Sequence, residues 1–413
     1  MVKLNFSSED KLLLYCSRLS IDDFIDLKIR EILNECLDWN YILECSIRQR
    51  VSPLFYWNLR KISNGNVVPD EVMKSLEKIY YSNLARNILF YDELSKILTA
   101  FKKAGIDTIV LKGALLAEEI YKNVGLRLMS DIDLLIKEKD LQKAKKELTE
   151  LKYSSTIIFP TKLHEQQHKM LSGELSFIHQ NKKCVVDIHW DIQPYEYNYK
   201  VDVNKFWNNA KPVKIAGVDV LTFAPEDILQ HLCLHVHKHI TLSIIFSYAP
   251  PAKPLRDYCD IAEVTWYYKD TINWNHLFQS SNDYRIEEPI FQGLTIAKEY
   301  FGAFVPENIL SALEPVKSNI CFEEIFKGTM QGNSKTKNQW DKNNYLMNLE
   351  KIDGIWNKSR IIFGDVFPSK EFMIYRYSIK NEKQVYMYYL IRLGTALRRG
   401  LAILGQLPHS VLR

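Results

Sequence analysis

The sequence predicts an α+β protein in which a small mixed β-sheet is flanked by an N-terminal and a C-terminal helical region. Apolar residues recur at three- and four-residue spacing through residues 9–98, as in amphipathic helices. Short β-branched runs alternate with helical stretches from Ile106 to Phe223, and helical spacing returns from Pro225. We therefore expect three parts: a helical region over 1–103, an α/β domain over 104–223 and a second helical region over 224–413.

The elements of the sheet domain follow from local patterns. Runs rich in Val, Ile and Leu predict strands, whereas charged stretches with apolar residues on one face predict helices. Gly217 and the segment 181–183 are turn signals, so each is expected to close a hairpin. The expected elements are strands over 107–112, 131–136, 175–179 and 184–190, the two arms of 213–223, and helices over 114–122 and 139–151.

Composition indicates a globular protein with no strong preference for a charged partner. The chain has 413 residues, of which 46% are hydrophobic and 25% charged, and its net charge is +4. This small excess argues against a long nucleic acid as partner but leaves a tRNA open. The seven cysteines are scattered without a CxxC pair, and no apolar run approaches the roughly 20 residues of a membrane span. We expect a cytoplasmic protein with no membrane partner.

The most informative residues are Asp131 and Asp133, which lie one residue apart in an apolar stretch with strand propensity. Alternate residues of a strand point to the same face, so the two carboxylates are expected to lie together. Two anions this close repel each other unless a cation lies between them, and Mg²⁺ is a hard cation that prefers oxygen ligands. Two aspartates on an exposed edge strand would give the same pattern, but the apolar context favours a metal site.

A third carboxylate and a glycine turn extend this pattern. Asp187 lies within the apolar strand segment 185–189, where an unpaired charge is costly. Gly113 forms a turn that leads into a predicted helix, and amides at such a helix start bind phosphates. Shared carboxylates can hold two metal ions, and these ions clamp the attacking and leaving oxygens of a phosphoryl transfer. The three aspartates and the glycine turn together predict a phosphoryl-transfer enzyme.

Three motifs resemble the uncharacterised nucleotidyltransferase family of the polymerase-β-like superfamily. They are Leu-Lys-Gly-Ala-Leu at 111–115, Arg-Leu-Met-Ser-Asp-Ile-Asp-Leu-Leu-Ile at 127–136 and Val-Asp-Ile-His-Trp at 186–190. Weaker echoes at 366–368 and 389–392 extend the similarity over most of residues 75–395. The resemblance implies a polymerase-β-like nucleotidyltransferase domain that uses two Mg²⁺ ions, with Mn²⁺ as a substitute, and an NTP as donor. A nucleoside monophosphate would be transferred and pyrophosphate released.

The resemblance also implies roles for the motif residues. Asp131 and Asp133 would bind both metal ions, and Asp187 would bind the catalytic metal and accept the proton of the acceptor. The backbone at Gly113 would hold the β- and γ-phosphates, and Ser130 of the aspartate motif is a further candidate for phosphate binding.

The glycine motif departs from the family pattern. The family glycine is usually followed by Ser or Gly, whereas Ala114 has no hydroxyl and offers only its amide. Lys112 and Arg127 are candidate replacements, because each presents charged donors that suit phosphate oxygens. Arg127 would serve equally well as an ordinary salt-bridge residue.

Histidines form a second, weaker pattern. His231, His235 and His239 recur every four residues on a predicted helix. We expect this stripe to face the cleft, where His235 and His239 would contact the nucleotide or acceptor; a plain helix surface and a metal-binding pair are the alternatives. His189 shares a strand face with Asp187, and would contact a phosphate or orient that carboxylate, unless it is simply structural.

The sequence thus predicts a Mg²⁺-dependent nucleotidyltransferase whose acceptor is open: a small molecule, a peptide or protein, or a tRNA. The C-terminal helical region, with its Pro-rich break at 249–254, is where we expect the acceptor to be recognised. Two alternatives stay open. One is a catalytically silent nucleotide-binding or scaffold protein that keeps the fold, and the other is a different phosphoryl transfer such as that of a kinase.

Overall fold

The structure, a computed structural model, divides into two compact units. The described residues are 6–62, 67–181, 184–192, 199, 201–245, 254–314, 326–328, 355–377, 379 and 384–404. The first unit comprises residues 1–154, 177–193 and 197–336, and the second comprises 155–176, 194–196 and 337–413. The predicted three-part division stays a prediction, with both of its internal boundaries inside the first unit.

The N-terminal part of the first unit is helical, as predicted. Its helices are Ser8–Cys16 (α1), Asp23–Leu33 (α2), Trp39–Arg48 (α3), Ser52–Ile62 (α4) and Asp70–Lys103 (α5). Ser7, Asp22 and Asp38 cap the first three helices, because each side chain accepts a hydrogen bond from a backbone amide of the first turn. The α5 helix has 34 residues and buries one face along its length, including Leu94 and Phe101.

The sheet is mixed, which confirms the predicted α+β class. Its strands are Thr108–Val110 (β1), Ile132–Ile136 (β2), Tyr153–Ser155 (β3), Glu174–His179 (β4), Val185–His189 (β5), Lys211–Ile215 (β6) and Val218–Thr222 (β7). They form a seven-stranded sheet in the order β3-β4-β5-β2-β1-β7-β6. The β2 strand is antiparallel to β1 and parallel to β5, whereas β1 is parallel to β7. Every residue of β2 is buried, so this central strand is covered on both faces.

Predicted turns and helices of the sheet domain are only partly matched. β6 and β7 form the predicted hairpin, and its turn at Ala216 and Gly217 has φ values of 50° and 77°. The predicted helix over 114–122 is instead the α-helical turn Lys112–Leu115 (α6) followed by a π-helical stretch, Leu116–Ile120. A π-turn inserts an extra residue, which a search for 3.6-residue periodicity does not detect. The tip of the predicted hairpin at 182–183 lies outside the described residues.

Helices make up most of the remaining described chain. They are Leu141–Glu150 (α7), Lys162–Ser172 (α8), Val203–Asn209 (α9), Pro225–Ile245 (α10), Pro254–Tyr267 (α11), Trp274–Tyr284 (α12), Glu287–Phe301 (α13), Glu307–Leu313 (α14), Ile355–Val366 (α15), Lys370–Tyr377 (α16) and Val385–Leu404 (α17). The sequence patterns missed β3, α8 and α9. Within the described ranges, no helix combines the length and apolar character needed to cross a bilayer.

The second unit has a small core of its own. Met373, Ile379 and Val385 are buried together, with tyrosines from α16 and α17 packed against them. Tyr389 donates a hydrogen bond to the carbonyl oxygen of Pro368 at 2.6 Å, and the amide of Ser369 donates to Pro160 O at 2.7 Å. Backbone and tyrosine hydrogen bonds therefore join the separate chain segments of this unit.

A buried glutamate in α11 makes the stability of the first unit depend on pH. Burial raises the pKa of Glu263 to about 7, although the amide of Leu19 donates to its Oε1 at 2.7 Å and the charge of Arg18 opposes the shift. The raised pKa means that protonation stabilises the fold. This contribution is complete below the unfolded value of 4.5 and is lost as the pH rises through about 7.

Replacing Glu263 with Gln is expected to raise the free energy of unfolding at pH 8, by about 1–3 kcal/mol, because glutamine keeps the acceptor for Leu19 without a buried charge. The gain should shrink towards zero at pH 4.5. Urea unfolding of both proteins at the two pH values measures the difference, and an equal difference at both would contradict the role of charge.

Candidate functional site

The sheet register brings two of the three predicted aspartates together. Asp133 of β2 lies directly beside Asp187 of the parallel strand β5, so both side chains point to the same face of the sheet. Neighbouring strands are about 4.8 Å apart, which places these two carboxylates side by side. Asp131 lies in a bend just before β2, close enough to Asp133 for the two charges to interact. The site is therefore positioned by strand pairing.

Asp133 is bound by two donors, one at the start of α6 and one in β5. Lys112, just after β1, places its Nζ 3.0 Å from Asp133 Oδ1, and His189 of β5 places its Nε2 2.9 Å from the same oxygen. Burial alone would raise the pKa of Asp133, but the ammonium of Lys112 and the hydrogen bond of His189 outweigh it and lower that pKa. Because an ionised carboxylate only accepts hydrogen bonds, Nε2 of His189 carries the proton.

Asp131 has the opposite electrostatic environment. Burial raises its pKa, and the negative charge of Asp133 raises it further, against weaker opposing effects of Lys112 and the Ser130 hydroxyl. Ser130 donates to Asp131 Oδ2 at 3.0 Å and itself accepts from Arg50 Nη1 at 3.1 Å. The two carboxylates therefore differ: the pKa of Asp133 is lowered, whereas that of Asp131 is raised.

The backbone leading into the site is unusual at Lys112. This residue has a φ of +41°, in the left-handed region that costs a non-glycine residue about 1–2 kcal/mol. The strained turn directs the lysine side chain onto Asp133, and a π-helical stretch follows a few residues later. Strained backbone and π-turns both concentrate at functional sites, which agrees with the predicted importance of this turn.

Gly113 is required by packing. A Cβ at this position would lie 2.8 Å from Nη1 of Arg127 and 3.2 Å from Cγ of Met129. The next residue, Ala114, is buried, and its carbonyl oxygen accepts a 2.5 Å hydrogen bond from Tyr91. Phosphate binding by the amides of Gly113 and Ala114 stays a prediction, and close packing now supplies an independent reason for the glycine.

Arg127 is a buried salt-bridge residue. Its Nη2 lies 2.6 Å from Asp260 Oδ2 and its Nε 2.9 Å from Asp260 Oδ1, with the two side chains 5% and 1% exposed. Burial would lower the pKa of Arg127, but the charge of Asp260 outweighs it and raises that pKa. The structure thus shows the salt bridge that the sequence left open, while phosphate binding by Arg127 stays a prediction.

The histidine stripe of α10 lies close to this charge cluster. Burial lowers the pKa values of His231, His235 and His239, and the positive charge of Lys112 lowers all three further. The pKa of His239 falls to about 4, so it is neutral at physiological pH. The rings of His235 and His239 are 4.4 Å apart, edge to face. Their predicted contact with nucleotide or acceptor stays a prediction, and as neutral rings they would act by hydrogen bonding or stacking.

Sequence reasoning missed a group of arginines beside Asp131. Besides Arg50, the charges of Arg86 in α5 and Arg256 in α11 act on this carboxylate. They come from three helical segments that lie far apart in the chain, so no local motif announces them. Arg256 also forms a salt bridge with Asp257 at 2.6 Å.

The aspartates fit a divalent cation in donor chemistry and in charge. The neighbouring carboxylates of Asp133 and Asp187, with Asp131 close to Asp133, offer the oxygen ligands that Mg²⁺ prefers, and a bound cation would offset the burial and the charge of Asp133 that raise the pKa of Asp131. In the described part of the chain, no three His, Cys, Asp or Glu side chains already surround a common point suited to a metal ion. The ammonium of Lys112 supplies the positive charge in this arrangement.

Other sequence predictions for the site fall on residues that are not described. The Pro-rich break predicted at 249–254 and the acceptor recognition assigned to it lie outside the described residues, except that α11 begins at Pro254.

An α+β fold with aspartates gathered on neighbouring strands is the arrangement expected of a nucleotidyltransferase-type protein. A family model described as an uncharacterised nucleotidyltransferase matches residues 35–302. The chain belongs to this family. The matched range starts before residue 75 and ends before the tail, so the echoes at 366–368 and 389–392 lie outside it.

Two further comparisons are less informative. No curated protein sequence matches this chain. An antigenic nucleotidyltransferase-like protein from Paracoccidioides brasiliensis, known from a crystal structure, is similar at 14% identity over 54% of this chain and 91% of its own, with a TM-score of 0.31.

Proposed function

We propose that this protein is a Mg²⁺-dependent nucleotidyltransferase, which moves a nucleoside monophosphate from an NTP to an acceptor and releases pyrophosphate. The observation that carries the proposal is the pairing of Asp133 with Asp187 on adjacent parallel strands, with the charge of Asp131 close to that of Asp133. Membership of an uncharacterised nucleotidyltransferase family supports it. The acceptor stays open among a small molecule, a peptide or protein, and a tRNA.

Each residue has a role in this proposal. Asp131, Asp133 and Asp187 would hold the metal, which when bound neutralises charge on the phosphates and activates the acceptor oxygen. Asp187 accepts the acceptor's proton. His189 fixes the orientation of Asp133 through its 2.9 Å hydrogen bond. Lys112 holds Asp133 in the absence of ligand, and its flexible ammonium is close enough to turn towards a phosphate oxygen.

The proposal is tested by incubating the purified protein with each NTP, Mg²⁺ and a cell extract. Release of pyrophosphate and a matching increase in the mass of an extract component by one nucleoside monophosphate are expected. Asp133→Asn should abolish both signals. Release of a nucleoside diphosphate would indicate a kinase instead.

A silent nucleotide-binding protein would behave differently in a binding experiment. The proposed function predicts that an NTP raises the melting temperature more with Mg²⁺ than without it, and that Asp133→Asn removes the Mg²⁺-dependent part. Stabilisation that is independent of Mg²⁺ and unaffected by the substitution, with no pyrophosphate released, would favour the silent protein.

A further inference from the structure

Three arginines from separate helical segments are close enough to Asp131 for their charges to interact with it, and Arg50 is also linked to it by hydrogen bonds. Arg50 follows α3, Arg86 lies in α5 and Arg256 lies in the first turn of α11. A hydrogen-bonded chain links Arg50 Nη1 to Ser130 Oγ at 3.1 Å and Ser130 Oγ to Asp131 Oδ2 at 3.0 Å. The guanidinium of Arg50 is thus one hydroxyl group away from a predicted metal ligand.

Two of these arginines have no carboxylate partner among the described residues. Arg50 donates to the hydroxyl of Ser130, and Arg86 donates to the amide oxygen of Asn83 at 3.2 Å. Both partners are neutral, so neither positive charge is compensated by a salt bridge within the described chain. Burial lowers the pKa of Arg50, and the charges of Arg256 and Arg86 lower it further, against the opposing charges of Asp131 and Asp257. The cations are therefore close enough to repel one another.

Arg50 has a backbone conformation that favours glycine, although an arginine occupies the position. Arg50 follows the C-terminus of α3 with a φ of +59°, and the amide of Val51 donates to Ser46 O at 3.0 Å. This turn normally has glycine at the left-handed position, because a side chain there is strained. An arginine is less favourable for the turn, yet it delivers a guanidinium to Ser130.

We propose that Arg50 and Arg86, with Arg256 beside them, form a polyphosphate-binding subsite that holds the β- and γ-phosphates of the donor NTP next to Asp131. The inference rests on the proposed function, since the donor role of the site identifies which phosphates arrive there. Guanidinium groups that are outside salt bridges, such as those of Arg50 and Arg86 among the described residues, recognise phosphate oxygens through paired, charge-assisted hydrogen bonds. The subsite takes the place of Arg127, whose guanidinium is held by Asp260.

Calorimetric titration tests this subsite. The protein is titrated with inorganic pyrophosphate, then with each NTP and with adenosine, all at one fixed salt concentration. The variants are Arg50→Gly and Arg86→Gln. The control is Arg60→Gln, an exposed arginine of α4 that stacks on Trp57 at 5.7 Å. Each subsite variant is expected to weaken pyrophosphate and NTP binding about 10-fold or more, while Arg60→Gln changes neither and adenosine binding is unaffected.

The variant Arg50→Gly distinguishes a loss of the subsite from misfolding. Glycine relieves the left-handed backbone at this position, so the melting temperature should be unchanged or higher while pyrophosphate affinity falls. Arg86 is exposed on α5, where glutamine is a good helix former. Unchanged pyrophosphate affinity in both variants, or no pyrophosphate binding by the wild-type protein, would overturn the proposal.

The two proposals fail in different ways. If the protein binds pyrophosphate through these arginines but releases none from any NTP, the subsite is supported and the nucleotidyltransferase function is contradicted. Normal pyrophosphate affinity in the variants combined with poorer transfer to an acceptor would assign the arginines to a phosphate of the acceptor, and the donor subsite would be rejected.

Discussion

Replacing Asp131 with asparagine is expected to reduce nucleotidyl transfer on the order of 10³-fold while leaving the free protein as stable as before or more stable. The loss follows because one metal ligand supports several kcal/mol of transition-state stabilisation, and each 1.36 kcal/mol is a tenfold change in rate. The stability follows because the charge of Asp131 is buried and is repelled by Asp133, as its raised pKa shows. Asparagine removes that repulsion and keeps an acceptor for Ser130.

Pyrophosphate release and thermal unfolding of the same preparation check both halves of this expectation. The matched control is Asp107→Asn, which removes an exposed aspartate whose only described ion pair is with Lys137 at 3.1 Å. Its activity should equal that of the wild-type protein, since exposed pairs contribute little. Loss of activity together with a lower melting temperature in Asp131→Asn would assign the residue a structural role instead.

Removing the guanidinium of Arg127 is expected to lower the free energy of unfolding by about 3–5 kcal/mol, because Asp260 would be left as an uncompensated buried charge. Arg127→Met is the suitable variant, since methionine fills much of the same volume. Urea unfolding with an unchanged m-value measures the loss. Among the substitutions considered, this one should have the largest effect on stability.

The double variant Arg127→Met with Asp260→Leu separates charge from packing. With both charges gone, most of the lost stability should return, because replacing a buried ion pair by apolar residues is often neutral or stabilising. If Arg127→Met alone changed stability by less than about 1 kcal/mol, the salt bridge would not have the structural role that its burial indicates. Pyrophosphate affinity of the folded Arg127→Met protein should be unchanged.

The carboxylates were predictable from the sequence because their arrangement is local. Asp131 and Asp133 share a face through the two-residue repeat of a strand, and an apolar surrounding identified that strand. The apolar context of Asp187 likewise marked it as a candidate. Only the structure, however, supplied the register that sets Asp133 directly beside Asp187.

The cationic part of the site was not predictable in the same way. Nothing local in the sequence distinguishes the environments of Arg50 and Arg127. In the structure, Arg127 pairs with Asp260, which is 133 positions away in the chain, whereas Arg50 donates to the neutral hydroxyl of Ser130. The packing of α11 and α3 determines which residues become partners at such separations, and the periodicity of apolar residues in the sequence does not predict that packing.

The pairing of β2 with β5 also bears on how this family can diversify. The strands that carry Asp133 and Asp187 are adjacent in the sheet, but residues 137–184 separate them along the chain. Hydrogen bonds between the strands set the spacing of these two carboxylates, so changes of length in the loops of the intervening segment leave that spacing unaltered as long as β2 and β5 stay paired. Loop lengths can therefore vary within the family while Asp133 and Asp187 stay side by side.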